Sequence, residues 1–265
     1  SKTGLEVERV ILEPESKNTF SALALPVLAL MKQKTEERYM VLPSDHYIPF
    51  NKSFYKTCTN IKNLFKKEAL TLLGVLPDNP STEYGYISIK PSNDELKYVK
   101  SFVEKPKFEK AKQLLKQPDT LWNSGIFCFD GKWLSSTIKS KEPDMYSLML
   151  ELLTNSELNQ IYFYPDKEKF SRLKDISFDK AIVDSNEHNY VSILDAGWTD
   201  LGSWQSLSNL KKNPEHGLTL YADDYSRIEK PWGYFEVLFE TEFSKVKILS
   251  IDAGQMLSMQ MHEHR

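Results

Sequence analysis

Short apolar runs alternate with amphipathic stretches along most of the 265 residues, and this alternation limits the possible folds more than any other property of the chain. A short continuous apolar run suits a strand buried on both faces. An amphipathic stretch between two such runs suits a helix laid on the sheet with one apolar side. The class is therefore α/β. Strands are expected at 9–12, 39–42, 69–76, 84–90, 98–104, 121–129 and 190–194. Helices are expected at 18–34, 53–67, 108–116, 132–138 and 144–154. Asn18-Thr19 offers a cap for the first helix, and Pro26 inside it removes a backbone donor and should kink it. The strand at 121–129 is entered through Trp122-Asn-Ser-Gly125, which reads as turn chemistry.

After Trp204 the texture changes. Asn213-Pro-Glu-His-Gly217 is a break and Glu229-Lys-Pro-Trp-Gly233 a rigid, linker-like knot. Strands of a β domain are expected at 234–238, 245–251 and 256–261. The organisation is thus an α/β domain at 1–212, a linker at 213–233 and the start of a β domain at 234–265. An abrupt β terminus leaves an edge that a partner would cover, so a homo-oligomer is an expectation.

The charge balance narrows the possible partners. With 34 basic and 37 acidic residues the net charge is −3, which offers no electrostatic footprint for nucleic acid or an anionic membrane. The most apolar stretch, 20–31, contains Pro26 and falls short of the ~20 residues a membrane span needs. The charged N-terminal segment is unlike a signal peptide. Cys58 and Cys128 stand in unrelated contexts and read as reduced thiols of a soluble, cytoplasmic protein.

Two acids, Asp45 and Asp200, each follow an apolar strand, Asp200 within the tight Gly-rich turn Ala196-Gly-Trp-Thr-Asp-Leu-Gly-Ser-Trp204. In open α/β sheets ligands bind beyond the carboxyl ends of the strands. Magnesium takes one or two carboxylates together with substrate phosphate oxygens. Either acid alone reads equally as a turn or helix cap; as a pair they read as a Mg²⁺ site. Phe102-Val-Glu-Lys-Pro106 combines Glu104, an acceptor for two sugar hydroxyls, with Lys105, a compact charge suited to phosphate. The triplet recurs at Glu229-Lys-Pro231, so alone it also reads as an exposed strand end. Asn123 offers an amide, and Gly85 between Tyr84 and Tyr86 suits a backbone contact with a sugar ring. His262 and His264 alternate along a strand with Gln260 on the same face, half of a metal site or a solvated polar end. Dinucleotide, P-loop, zincin and nucleophile-elbow motifs are absent.

Seven motifs occur in one order: Ile11-Leu-Glu-Pro14 with Asn18-Thr19, Leu42-Pro-Ser-Asp-His46, Tyr84-Gly-Tyr-Ile87, Phe102-Val-Glu-Lys-Pro106, Trp122-Asn-Ser-Gly125, Ser177-Phe-Asp-Lys-Ala181 and Gly197-Trp-Thr-Asp-Leu-Gly-Ser-Trp204. This ordered set resembles the mannose-1-phosphate guanylyltransferases. The tail, Lys230-Pro-Trp-Gly-Tyr-Phe-Glu-Val-Leu238 through Leu257-Ser-Met-Gln-Met-His-Glu-His-Arg265, is similar to the start of the cupin half of bifunctional members, which also carry mannose-6-phosphate isomerase. The resemblance implies a Rossmann-like nucleotidyltransferase domain with a mixed sheet, followed by a partial cupin-like β segment. It implies GTP and mannose 1-phosphate as partners and GDP-mannose and pyrophosphate as products. Asp45 and Asp200 would hold Mg²⁺. Glu104, Asn123 and the Gly85 backbone would hold mannose, and Lys105 its 1-phosphate. Gln260, His262 and His264 would begin a cupin metal site for Zn²⁺. The family's Gly-rich loop bearing Arg and Lys, which cradles the triphosphate, does not occur in this sequence, so an N-terminally incomplete domain is expected. Two alternatives stay open: mannose-6-phosphate isomerase, and a non-catalytic remnant that binds sugar phosphates.

Overall fold

The alternation of apolar runs becomes a layered α/β unit in the computed structural model, which describes residues 7–31, 37–49, 52–64, 66, 68–154, 161–186, 188–201, 227–240 and 245–256. The first half runs β1 (Val10–Ile11), α1 (Asn18–Met31), β2 (Arg38–Val41), β3 (His46–Tyr47), α2 (Lys52–Leu64), β4 (Leu70–Val75), β5 (Tyr86–Ile89) and β6 (Leu96–Val103). There follow α3 (Phe108–Leu115), β7 (Thr120–Asp130), α4 (Gly131–Lys141), α5 (Pro143–Thr154), β8 (Tyr162–Phe163) and α6 (Lys167–Ser171). A π-helical turn at Asp179–Val183, β9 (Asn189–Ile193) and β10 (Thr199–Asp200) complete this unit.

Six strands form the main sheet in the order β2-β7-β4-β9-β6-β5, and β5 also pairs with β7. β4 and β9 run parallel while β7 is antiparallel to β2, β4 and β5, so the sheet is mixed as expected. Successive side chains of a strand point to opposite faces. In β4, Leu70 and Leu72 enter the core beneath α1, α4 and α5, while Leu73 enters a second core beneath α2 and α3. Apolar cover on both faces is why this strand reads as an unbroken apolar run. Helix α1 is the same case in helical form: Phe20, Leu23, Ala24, Leu25, Val27, Leu28 and Ala29 are all buried, so it carries no broad polar face. Pro26 lies inside it. Among the described residues no helix is long and apolar enough to cross a membrane.

Three expectations need correction. Trp122-Asn-Ser-Gly125 lies within β7 and does not precede it, because Trp122 and Asn123 are paired with Val75 and Gly74. Cys58 of α2 and Cys128 of β7 are not in unrelated surroundings: both line one small cavity of about 140 Å³, as free thiols. Glu229–Gly233 is not a linker. Ile228–Lys230 (β11) pairs antiparallel with Gly233–Glu240 (β12) across the turn Pro231-Trp232, and β12 pairs with Lys245–Ile251 (β13).

The chain divides after Gly202 into two compact units. The second, Ser203–Arg265, contains the β11-β12-β13 sheet. Residues 257–261 of the strand expected at 256–261, with Gln260, and also His262 and His264, lie outside the described residues, as does the family-like segment from Gly202 to Trp204.

Candidate sugar-phosphate site

The site begins with a fault in a strand. Pairing between β4 and β7 jumps from Leu72–Phe127 to Gly74–Asn123, so β7 carries extra residues at 124–126. A bulge of this kind needs a residue that tolerates a positive φ, and Gly125 supplies it at +70°. Ser124 repairs the ladder: its hydroxyl, 1% exposed, donates to the Leu73 carbonyl at 2.7 Å. The bulge turns Asn123 towards the opening beyond the strand. Its backbone N–H donates to the Gly85 carbonyl at 2.8 Å, its Oδ1 accepts from Gly125 N–H at 3.2 Å, and its Nδ2 donates to Asp179 Oδ1 at 2.7 Å.

Gly85 is required by its neighbours. A Cβ there would stand 2.7 Å from Phe102 Cζ and 2.9 Å from Glu104 Oε2. Its backbone is expected to contact a sugar, and its carbonyl already accepts from Asn123. Glu104 and Lys105 follow β6. Lys105 holds φ at 39°, a left-handed conformation that side-chain-bearing residues rarely adopt, just before the buried Pro106. Burial, then the neighbouring charge of Asp179, pushes the Glu104 pKa up to about 7, against partial relief from Lys105 and Lys180. Asp179 is also raised, first by burial, while Asn123 and Lys105 lower it.

The two acids expected to share a metal meet on a separate small ladder. β10 pairs antiparallel with β3, opposing Asp200 to His46 and Thr199 to Tyr47, and Leu201 N–H donates to the Asp45 carbonyl at 3.3 Å. Asp200 is therefore extended, not within the Gly-rich turn, because its backbone continues the ladder; the turn itself falls at Gly197, with φ at +70°. His46 follows Asp45 in the chain and lies opposite Asp200 in the ladder. Its Nδ1 accepts from Trp198 Nε1 at 3.1 Å, and it also hydrogen-bonds the Ser124 backbone. Burial lowers its pKa, opposed by the charges of Asp200 and Asp45. A neutral ring with Nδ1 as acceptor is the tautomer this arrangement assigns. His46 thus ties the acid-bearing ladder to the bulge that carries Asn123. Trp198, Tyr84 and Trp122 continue from it as edge-on aromatic neighbours.

These pieces open on one cavity of about 510 Å³, within the range usual for small-molecule sites. It is lined by Asp45, Gly85, Glu104, Lys105, Asn123 and Asp200, every candidate that the sequence offered within this unit. His46, Tyr84, Trp198 and Asp179 line it as well, and sequence reasoning assigned none of them a role. For Asp179 a signal existed, since Ser177-Phe-Asp-Lys-Ala181 was one of the ordered motifs. What reveals it is tertiary: Phe178 N–H donates to Thr19 Oγ1 at 2.9 Å, which fastens the segment to the start of α1. Among the described residues no group of three or more His, Cys, Asp or Glu could hold a metal. Asp45 and Asp200 offer hard oxygen donors to the cavity they share, the donor type that magnesium takes.

The chain matches the nucleotidyl transferase family model over residues 2–216 and the model of the mannose-6-phosphate isomerase C-terminal region over residues 220–265. It is 26% identical to the alginate biosynthesis protein AlgA of Pseudomonas fluorescens, aligned over 98% of this chain and 68% of that protein. It is likewise 26% identical to the mannose-1-phosphate guanylyltransferase ManC of Salmonella typhimurium, over 97% of this chain and 68% of that one. Among solved structures it resembles a Thermus thermophilus protein described as mannose-1-phosphate geranyltransferase, at 27% identity and a TM-score of 0.67, covering 76% of this chain and 57% of that one. It also resembles a mannose-6-phosphate isomerase from Helicobacter pylori, at 29% identity and a TM-score of 0.65, covering 72% and 74%.

Proposed function

The chain belongs to the nucleotidyl transferase family, and from that membership we propose that it transfers GMP from GTP to mannose 1-phosphate, giving GDP-mannose and pyrophosphate. One observation carries the reading. Gly85, Glu104, Lys105 and Asn123, from three separate stretches of chain, line the same cavity as Asp45 and Asp200. The relatives named mannose-1-phosphate guanylyltransferase support the choice of sugar and nucleotide.

In this reading Glu104 accepts sugar hydroxyls, while Asn123 and the Gly85 backbone shape the floor of the sugar pocket. Lys105 neutralises the sugar phosphate. An oxygen of that phosphate attacks the α-phosphorus of GTP, the bond from the α-phosphorus to its bridging oxygen breaks, and pyrophosphate leaves with that oxygen. Asp45 and Asp200 would hold Mg²⁺, which supplies charge neutralisation on the phosphates. The remaining work is positioning, for which a protein base is not needed. The two free thiols support a reducing, cytoplasmic setting.

The test is pyrophosphate release with GTP, mannose 1-phosphate and Mg²⁺ by the protein at its natural length. Asp45→Ala and Asp200→Ala should each abolish it; release that survives both substitutions refutes the assignment. A second reading, interconversion of mannose 6-phosphate and fructose 6-phosphate, is favoured by the match over residues 220–265. There Gln260, His262 and His264 would contribute to a Zn²⁺ site. A coupled isomerase assay tests it, and activity unaffected by His262→Ala and His264→Ala counts against it.

A further inference from the structure

The hydrogen bonds of Asn123 point away from the role first given to it. Its side-chain amide can donate twice and accept twice. One donor goes to Asp179 Oδ1 at 2.7 Å and one acceptor position to Gly125 N–H at 3.2 Å. The residue is only 9% exposed, and its main-chain N–H is also taken, by Gly85. An amide held on three sides is a strut.

The group it supports is Asp179. This carboxylate lines the cavity together with Glu104 and Lys105. Its backbone is fixed: the carbonyl accepts from Asp184 N–H at 2.8 Å across the π-helical turn, and the preceding N–H goes to Thr19. Single π-turns occur often at functional sites. A carboxylate presents about four acceptor positions. Among the described residues its hydrogen-bond donors are Asn123 and its own backbone N–H. Taken largely out of water, a carboxylate with acceptor positions left over is stabilised by any ligand that brings donors. Glu104 offers a second acceptor on the same cavity, and the Asp179 charge makes Glu104 harder to ionise. Neutral donors suit such a pair, and the hydroxyls of a hexose are neutral donors.

We propose that Asp179 determines sugar specificity, accepting a hydroxyl of the hexose 1-phosphate alongside Glu104, and that Asn123 is the positioning residue that holds Asp179 in place. This rests on the sugar-phosphate reading of the cavity.

The experiment is calorimetric titration of mannose 1-phosphate in EDTA, which removes any contribution from metal held by Asp45 and Asp200. Inorganic phosphate and the single-deoxy analogues of mannose 1-phosphate serve as further probes. Asp179→Asn should weaken mannose 1-phosphate binding by about tenfold or more while inorganic phosphate binding changes by less than about twofold. One deoxy analogue, weakened on the unmutated protein, should lose nothing further on Asp179→Asn. Asn123→Ala should weaken binding, and adding it to Asp179→Asn should cause little more loss, as two residues acting through one contact do. Asp179→Glu keeps the charge but moves it by one methylene. It should lose hexose affinity and not phosphate affinity, which keeps the idea testable if Asp179→Asn fails to fold. Undiminished hexose binding by Asp179→Asn, or equal losses for every deoxy analogue on both proteins, overturns the role of Asp179 alone. So does a hexose affinity that returns only when a divalent cation is added and disappears with Asp179. Failure of the unmutated protein to bind mannose 1-phosphate overturns the functional reading as well.

Discussion

Gly85→Ala tests whether the cavity is built as described. Non-bonded carbons settle at ~3.5–4.0 Å, so a Cβ placed 2.7 Å from Phe102 Cζ overlaps it by about 1 Å. The Phe102 ring packs against the main core and cannot simply retreat. Glu104 Oε2, 2.9 Å from the added carbon, ends a flexible side chain and will be the group that swings away. Overpacking of this kind costs about 1–3 kcal/mol. At ~2–4 °C per kcal/mol for a domain of this size, melting should fall by about 2–12 °C. Loss of a charge-assisted hydrogen bond from Glu104 should weaken mannose 1-phosphate by ~10–100-fold. Scanning calorimetry reads the first effect and titration calorimetry the second. Gly125→Ala is the comparison: its nearest neighbour, Pro43 Cγ, stands 3.4 Å away, so the strain is mainly that of a side chain at φ +70°, about 1–2 kcal/mol. If Gly85→Ala melts within about 1 °C of the unmutated protein and binds the sugar phosphate unchanged, the close approach of Phe102 and Glu104 to Gly85 is wrong.

Ser124→Ala removes the donor that satisfies the Leu73 carbonyl inside the sheet, and should destabilise the domain by about 1–3 kcal/mol in urea titration; a smaller loss than that argues against a repaired bulge. Glu104 has a folded pKa of about 7 against an ordinary 4.5. Its contribution to stability is therefore fully present below 4.5 and is lost as pH rises through about 7. Melting temperatures of Glu104→Gln measured from pH 4.5 to 8 should lack that part of the decline, and parallel profiles for the two proteins would exclude it. Burial pushes the Cys128 thiol up to about 12, so thiol reagents should modify it only when the domain opens; modification at the rate of a free thiol in native buffer would contradict its burial.

Sequence patterning reached the layers of the fold because burial on both faces of β4 and on most of α1 writes long apolar runs directly into the chain. It also singled out Asp45, Glu104 and Lys105 by residue type, and these line one cavity. What it missed depends on register. Trp122-Asn-Ser-Gly125 looks like a turn because Gly125 does take a positive φ, yet neighbouring strands hold it inside β7. His46 becomes meaningful only when Trp198 donates to it from across the domain, and Asp179 only when Asn123 reaches it. Cys58 and Cys128 meet because α2 packs over the face on which Cys128 points, which no local spacing encodes.

The β3–β10 ladder has a consequence for dynamics. Two residues pair with two, apart from the main sheet, in the ladder that brings Asp200 opposite His46. Such a segment belongs to the low-stability end of a domain and opens by local unfolding well before the six-stranded sheet does. Amide protons of Asp200 and Leu201 should therefore exchange with solvent far faster than those of β4 or β9. Asp200 stands opposite His46 only for the fraction of time the ladder is closed, and a ligand that contacts both strands would draw its affinity partly from holding it shut.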